Sequence, residues 1–326
     1  MTISLQEVER ARSLTARHLH RTPTFTSRAL SERIGATAHL KAESFQRTGS
    51  FKPRGALFAV SSLTPEQRSK GIVTMSAGNA AAAIAYASRA VGAKVTVAMP
   101  ESAPKLKVDA TRGYGADIRF APDMTSLRAL VSRLQEESGA YFLHPYDDDA
   151  MISGHGSLGL ELLEEVPDAD VIVVGIGGGG LISGVAVAAA AKKKGIRIVG
   201  VEPAGAPTMR TALDAGKPVP LAAINTIADG LAGPIAGTRG LDICQRLVED
   251  VVVISDDVIA EGMRFLAERA KLVAEPAGAA ATAALLAGRV RVKPGETVVS
   301  IVSGGNVDRA KFAQLIADPV GAAASA

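Results

Sequence analysis

Residues 171–191 read VIVVGIGGGGLISGVAVAAAA. The stretch carries no charge over about the length of a membrane helix, so a membrane span is the first reading to test. Gly177, Gly178, Gly179 and Gly180 stand in its middle. Glycine is a poor helix former, the β-branched residues ahead of the four favour a strand, and the alanines behind them favour a helix. Strand, tight loop and helix is the better fit, because irregular backbone is not tolerated against lipid. A strand ending in bare glycines ahead of a helix presents backbone N–H groups at the positive end of the helix dipole, where a phosphate can sit. A tight turn with no ligand is the plainer alternative.

Outward from this run the same alternation repeats. Short β-branched runs at residues 72–75, 94–99 and 118–121 are each followed by a helical pattern, at 80–91, 105–112 and 126–137. Further runs at 196–201, 251–254 and 298–302 read, like 171–176, as strands buried on both faces. Such alternation predicts an α/β protein with parallel sheets and crossover helices. We expect two parallel-sheet domains, a small one over residues 71–147 and a large one from residues 1–70 plus 148–326, with the active site in the cleft between them. Ser4 with Glu7 three residues on is a capping-box pattern, opening a first helix that ends before Thr22 and Pro23. The closing residues 322–326 read as a frayed end.

The glycine run alone does not choose a ligand. Gly175, Gly177 and Gly180 also match the dinucleotide pattern, and Glu202 follows where its ribose-binding acid would stand. That reading would make the chain a nicotinamide-dependent oxidoreductase.

Composition excludes other classes. With 326 residues and 47% hydrophobic content the chain can bury large cores. Its net charge is only +3, the longest basic run is Lys192, Lys193 and Lys194, and aromatics make up 4% with no Trp. Nucleic acid is therefore not an expected partner, and no membrane association is expected. The single Cys244 cannot form an internal disulfide, and with no signal-peptide pattern the expected home is the cytoplasm.

Residues 50–55, SFKPRG, place Lys52 at a helix start with Pro53 in its first turn. Helix N-termini disfavour cations, so an amine there gains by becoming neutral or imine-linked. An ordinary surface lysine is the bland alternative.

Here the sequence resembles the fold-type II pyridoxal-phosphate enzymes, in particular the threonine dehydratase and serine racemase family and its short threonine dehydratases. The resemblance covers nearly the whole chain. It is carried in order by QRTGSFK (46–52), SAGN (76–79), MPE through PK (99–105), TRGYGA (111–116), the tetraglycine, TIADG (226–230) and SGGN (303–306). It implies a tryptophan synthase β-like fold and a dehydratase that turns an L-β-hydroxy amino acid, such as threonine or serine, into a 2-oxo acid and ammonia. The implied cofactor is pyridoxal 5′-phosphate. Lys52 would carry it as a Schiff base and later remove the substrate α-proton. Phe51 would pack near the ring and Asn79 would bond its 3′-oxygen. Gly177, Gly178, Gly179, Gly180 and Leu181 would hold the phosphate, and Ser303 would face the pyridine nitrogen. Ser76, Ala77, Gly78, Asn79 and Ala80 would form the substrate loop. A neutral hydroxyl at Ser303 makes the ring a weaker electron sink than a carboxylate would, which favours prompt loss of water. Relatives of this kind form homodimers or homotetramers, and that state is expected here.

Three departures bear on the chemistry. Ala77 stands where the racemases carry a serine that acts as the second acid/base, so dehydration with negligible racemisation is expected. Ala80 replaces the family's usual histidine, which is either a neutral exchange or a shift of specificity toward other substrates, 3-phenylserine or 3-hydroxyaspartate. The divalent-metal site of some relatives maps to Glu202, Ala206 and Thr208, which lacks its third ligand as a carboxylate, so no metal is expected. His144 and His155 flank the domain junction without metal-ligand spacing. No regulatory domain is expected after Asn306.

Overall fold

Val171 to Gly175 is buried at every position, and this is the strand around which the larger half is built. The structure is a computed structural model and describes residues 3–317. Residues 322–326, read above as a frayed end, lie outside the described residues. In chain order the strands are β1 (Thr24–Thr26), β2 (Thr37–Ala42), β3 (Ile72–Met75), β4 (Val95–Pro100), β5 (Asp117–Ala121), β6 (Tyr141–Phe142), β7 (Val171–Gly175), β8 (Arg197–Pro203), β9 (Asp250–Ile254) and β10 (Thr297–Val302). They form a six-stranded sheet in the order β1-β2-β10-β7-β8-β9 and a four-stranded sheet in the order β5-β4-β3-β6. The two α/β halves expected from the alternation are therefore present. The four-stranded sheet is wholly parallel. The larger sheet is mixed, because β1 pairs antiparallel with β2 while its other strands pair parallel.

Most strands read from sequence carry apolar side chains on both faces; β5, read at 118–121, is instead a mostly exposed sheet edge. One reading needs correction: β9 is a sheet edge, and Val252 and Val253 are only half-buried, so it is not covered on both faces. β2, in contrast, was not legible. Its sequence TAHLKA carries Lys41, which is fully buried.

Lys41 is buried because its charge is answered. Its Nζ donates to the Thr22 carbonyl (2.7 Å), Glu161 (2.8 Å) and Glu165 (2.7 Å). Beside it Arg54 donates to both oxygens of Glu43 (2.7 and 2.8 Å) and to Glu161 (3.0 Å). Taking these ions out of water is expensive, and only full pairing offsets it. The network joins β2 and the turn after it to the helices Lys52–Ser61 and Asp149–Glu165, and so fixes the helix that begins with Lys52.

The other face of Lys52–Ser61 belongs to the smaller half. Leu57, Ala59 and Val60 pack with Ile72 of β3, Val97 of β4 and Ile84 of the helix Asn79–Ala90. The helix thus spans the junction. At the N-terminus Ser4 caps the helix Leu5–Thr15 by accepting from the Glu7 amide, but Glu7 turns its carboxylate to Arg10, so only half of the capping box forms. Among the described residues no helix is long and apolar enough to cross a membrane, and the run after the glycines is the helix Gly180–Lys192.

Candidate active site

A cavity of about 490 Å³ opens between the halves, and its wall includes residues 51, 52, 76–80, 177–181 and 303. It lies where β3, β4, β7 and β10 end, the crevice in which α/β sheets bind ligands.

Two motifs far apart in sequence meet to place Lys52. The Phe51 amide donates to the Ser303 carbonyl (3.0 Å) and the Gly305 amide to the Gly49 carbonyl (2.9 Å), with Ser50 and Gly304 bridged antiparallel between them. Lys52 then starts its helix with Pro53 in the first turn. Its Nζ lies 5.1 Å from the centre of the Phe51 ring and donates to the Pro145 carbonyl at 3.3 Å. Burial pushes the ammonium down to about 8, against the opposing pull of Glu275. Phe51 rests edge-on against His155, 4.8 Å between ring centres. His155 is buried with both ring nitrogens unpartnered among the described residues, and burial drives its pKa well down, so it is a neutral packing group. The His144 Nδ1 accepts from the Asp147 amide (2.9 Å) and orders the loop leading to Tyr146.

The glycine loop has two demands on it. Gly179 has φ +97°, a conformation that L side chains avoid, and caps the helix Gly180–Lys192. A Cβ on Gly178 would lie 2.1 Å from the Tyr146 ring, and one on Gly180 would lie 2.7 Å from the Tyr146 carbonyl. Tyr146 in turn donates its hydroxyl to the Ile235 carbonyl (3.0 Å). The sequence offered an anion or a tight turn as the reason for these glycines and gave no sign of Tyr146, whose close approach is legible only in three dimensions.

Opposite, β3 runs into the loop 76–79, and Gly78 caps the helix Asn79–Ala90 with no side chain covering its first amides. The Gly78 amide donates to Ser76 Oγ (3.2 Å). Ala77 and Ala80 line the same wall, Ala80 on the helix's first turn.

Sequence reasoning gave no role to several neighbours. Glu275 is buried, accepts from Asn79 Nδ2 (2.6 Å), and has its other oxygen without a partner among the described residues. Burial pushes its carboxyl up to about 7, partly offset by Lys107. Lys107 pairs with Asp229 beside it. Glu275 stands ahead of Pro276 in an apolar stretch, and nothing local marks it as a site residue.

The dinucleotide and divalent-metal readings both needed Glu202. It is fully buried, and its oxygens accept from the amides of Met209 (2.6 Å) and Arg210 (2.8 Å), holding the start of the helix Thr208–Ala215. Burial, opposed by those amides, pushes its carboxyl up to about 7. Thr208 Oγ1 donates to the Gly233 carbonyl (2.7 Å). Glu202 is absent from the cavity wall and cannot reach a ribose there.

The remaining groups fit a phosphorylated aldehyde of pyridine. The glycine loop offers bare amides at a helix start, Lys52 offers a desolvated amine, and Ser303 Oγ has only a long bond of 3.4 Å to the Ala277 carbonyl, which leaves its hydroxyl available. Asn79 keeps one N–H after its bond to Glu275.

Comparison with known proteins agrees. Residues 15–304 match the family described as pyridoxal-phosphate dependent enzyme. An L-threonine ammonia-lyase of Geobacter sulfurreducens is 43% identical over 293 residues, covering 90% of this chain and 73% of that protein. The L-threo-3-hydroxyaspartate ammonia-lyase of Saccharomyces cerevisiae is 41% identical over 297 residues, covering 91% of each. The solved structure of maize serine racemase superposes with a TM-score of 0.92 at 39% identity, covering 96% of this chain and 97% of that one.

Proposed function

This chain belongs to the pyridoxal-phosphate dependent enzymes, and on that premise we propose that it is an ammonia-lyase that eliminates water from a small L-β-hydroxy amino acid, threonine or serine. The observation that carries the reading is Lys52: a desolvated amine with a pKa lowered to about 8, in a cavity walled by the glycine loop, Asn79 and Ser303.

The chemistry pyridoxal phosphate supplies when bound is an electron sink for the substrate α-carbon. The chain's own residues do the rest. Gly177 to Gly180 and Leu181 would hold the phosphate through backbone amides. Asn79 would bond the ring's 3′-oxygen, Phe51 would pack near the ring, and Ser303 would meet the pyridine nitrogen as a neutral partner. The amides of the loop 76–79, at a helix start, take the substrate carboxylate. Lys52 would hold the cofactor through its side-chain amine, and Nζ, once free, is the group placed to take the α-proton. That proton goes to the departing β-hydroxyl, so water leaves and the amine returns to its neutral form. The unsaturated product hydrolyses to a 2-oxo acid and ammonia. Ala77 offers only a methyl group, so no acid from that position returns a proton to the opposite face. The expected setting is a cytoplasmic homo-oligomer, with Cys244 buried and its thiol pushed up to about 12 by that burial.

One observation favours a second reading, 3-hydroxyaspartate. Arg128, on the helix Met124–Ser138, lines the cavity and makes no hydrogen bond or ion pair among the described residues. A distal carboxylate would give it a partner. Threonine, serine, 3-phenylserine and 3-hydroxyaspartate, each supplied to wild type, Ala80→His and Lys52→Ala with 2-oxo acid and ammonia measured, decide between them. The expected result is turnover by wild type and none by Lys52→Ala, with relative rates shifted by Ala80→His. A colourless protein that releases no 2-oxo acid from any of them would overturn the proposal.

A further inference from the structure

Glu275 poses a question that local structure does not answer. It occupies the cap position of the helix Pro276–Leu286, yet its side chain makes no capping bond. It is instead buried against the cavity, one oxygen on Asn79 and the other without a partner among the described residues. Leaving a carboxyl oxygen so is costly, and a site that keeps one uses it.

The hydrogen bonds around it form a chain whose direction is set at one end. The Thr48 carbonyl can only accept. Asn306 Nδ2 donates to it (2.7 Å), which fixes which way the Asn306 amide faces. The second N–H of the same nitrogen donates to Asn79 Oδ1 (2.9 Å). Asn79 must therefore turn its Nδ2 toward Glu275, whose Oε1 accepts (2.6 Å). Amide orientations are otherwise open to a flip, but this one is dictated from a backbone carbonyl. The anchor is itself held in a costly form. Thr48 has φ 63°, unusual for a β-branched residue. Gly49, at φ +73°, passes so close to Asn306 that a Cβ there would lie 2.3 Å from its Oδ1. After these bonds Asn79 retains one N–H.

We propose that Asn306 and Glu275 are positioning residues that together lock the Asn79 carboxamide, leaving that single N–H as the donor to the cofactor's ring oxygen. Asn306 excludes the flipped amide from one side and Glu275 from the other. The pair sets how firmly the ring is held and how its chromophore absorbs, without either residue touching substrate. The inference rests on the reading of Asn79 as the ring-oxygen donor.

The test is a double-mutant cycle on purified holoenzyme and on apoprotein reloaded with pyridoxal phosphate, read as cofactor dissociation constant and as position of the near-ultraviolet to violet absorption band. Asn79→Ala alone should weaken cofactor binding about tenfold or more and move the band. An unchanged band and affinity there would overturn the Asn79 assignment and this proposal with it. Given that first result, Glu275→Ala and Asn306→Ala should each weaken binding severalfold and move the band in the same direction. In the Asn79→Ala background neither should have any further effect. Glu275→Gln, which keeps an acceptor toward Asn79, should restore the wild-type band. Equal losses with and without Asn79, or no band shift in either single variant, would overturn the positioning role while leaving the Asn79 assignment intact. Thermal melting of each variant identifies any that fail to fold; Glu275→Leu and Asn306→Asp, which keep the volume but lose the acceptor and the donors, then replace them in the cycle, with the same outcomes expected.

Discussion

Lys107 of the helix Lys105–Gly113 is ion-paired with Asp229, on the short turn Asp229–Leu231, so a cation of the four-stranded half meets an anion of the six-stranded half at the cavity. Lys107 also lies near the loop 76–79, since a Cβ on Gly78 would lie 4.0 Å from its Nζ. The pair is partly solvent-exposed, so its worth to stability is about 1 kcal/mol or less. Its effect should fall on how readily the cleft closes over substrate. Asp229→Asn is expected to raise KM severalfold with kcat nearly unchanged and little change in Tm. Wild-type KM should rise with ionic strength and the variant's should not. A fall in kcat at constant KM would rule out this role.

The buried charges around Arg54 make a prediction of opposite kind, large in stability and indirect in catalysis. Burial alone would raise the Glu161 carboxyl, but Arg54 and Lys41 outweigh it and hold it at about 2, against an ordinary value of 4.5. The folded value lies below the unfolded one. The stabilisation is therefore complete above about pH 4.5 and is lost as pH falls from there toward 2. Glu161→Gln should cost roughly 3–5 kcal/mol at neutral pH by leaving cations underpaired, and should flatten the acid limb. Urea melts from pH 7 to pH 3 test both; an acid limb as steep as wild type would show that other carboxyls dominate.

How much of this was open to sequence depends on where each residue's partner lies. β7 and the glycine loop were legible because their pattern is local: apolar on both faces, then backbone that needs no side chain. Lys52 stood out as a candidate only together with Asn79 and Ser303, which sequence motifs supplied. β2 was hidden because Lys41 reads as a surface residue until Glu161 and Glu165, far along the chain, are brought to it. Glu275 was hidden for the same reason: its meaning lies in burial and in Asn79, and neither leaves a mark on neighbouring letters.

Ala77 lets the direction of proton return be tested by addition. A methyl group cannot carry a proton, so wild type given L-serine should release pyruvate and accumulate no D-serine. Ala77→Ser puts a hydroxyl on the cavity wall and should produce detectable D-serine on a chiral column, with pyruvate release retained. D-serine from the wild type would mean that another group serves the second face.

Gly178 separates two reasons for the same residue. A Cβ there would lie 2.1 Å from the Tyr146 ring, an overlap that must move the ring or the loop. If the glycine is needed only for Tyr146, shrinking the tyrosine should relieve everything. If it is also needed for a phosphate, relief should be partial, because the added methyl still stands where the anion approaches the amides. Gly178→Ala is expected to lower Tm and weaken cofactor binding. Adding Tyr146→Ala should recover part of the Tm, with binding still at least tenfold weaker than in Tyr146→Ala alone. Full recovery of cofactor binding in the double variant would assign Gly178 to the tyrosine and leave the phosphate to the amides of its neighbours.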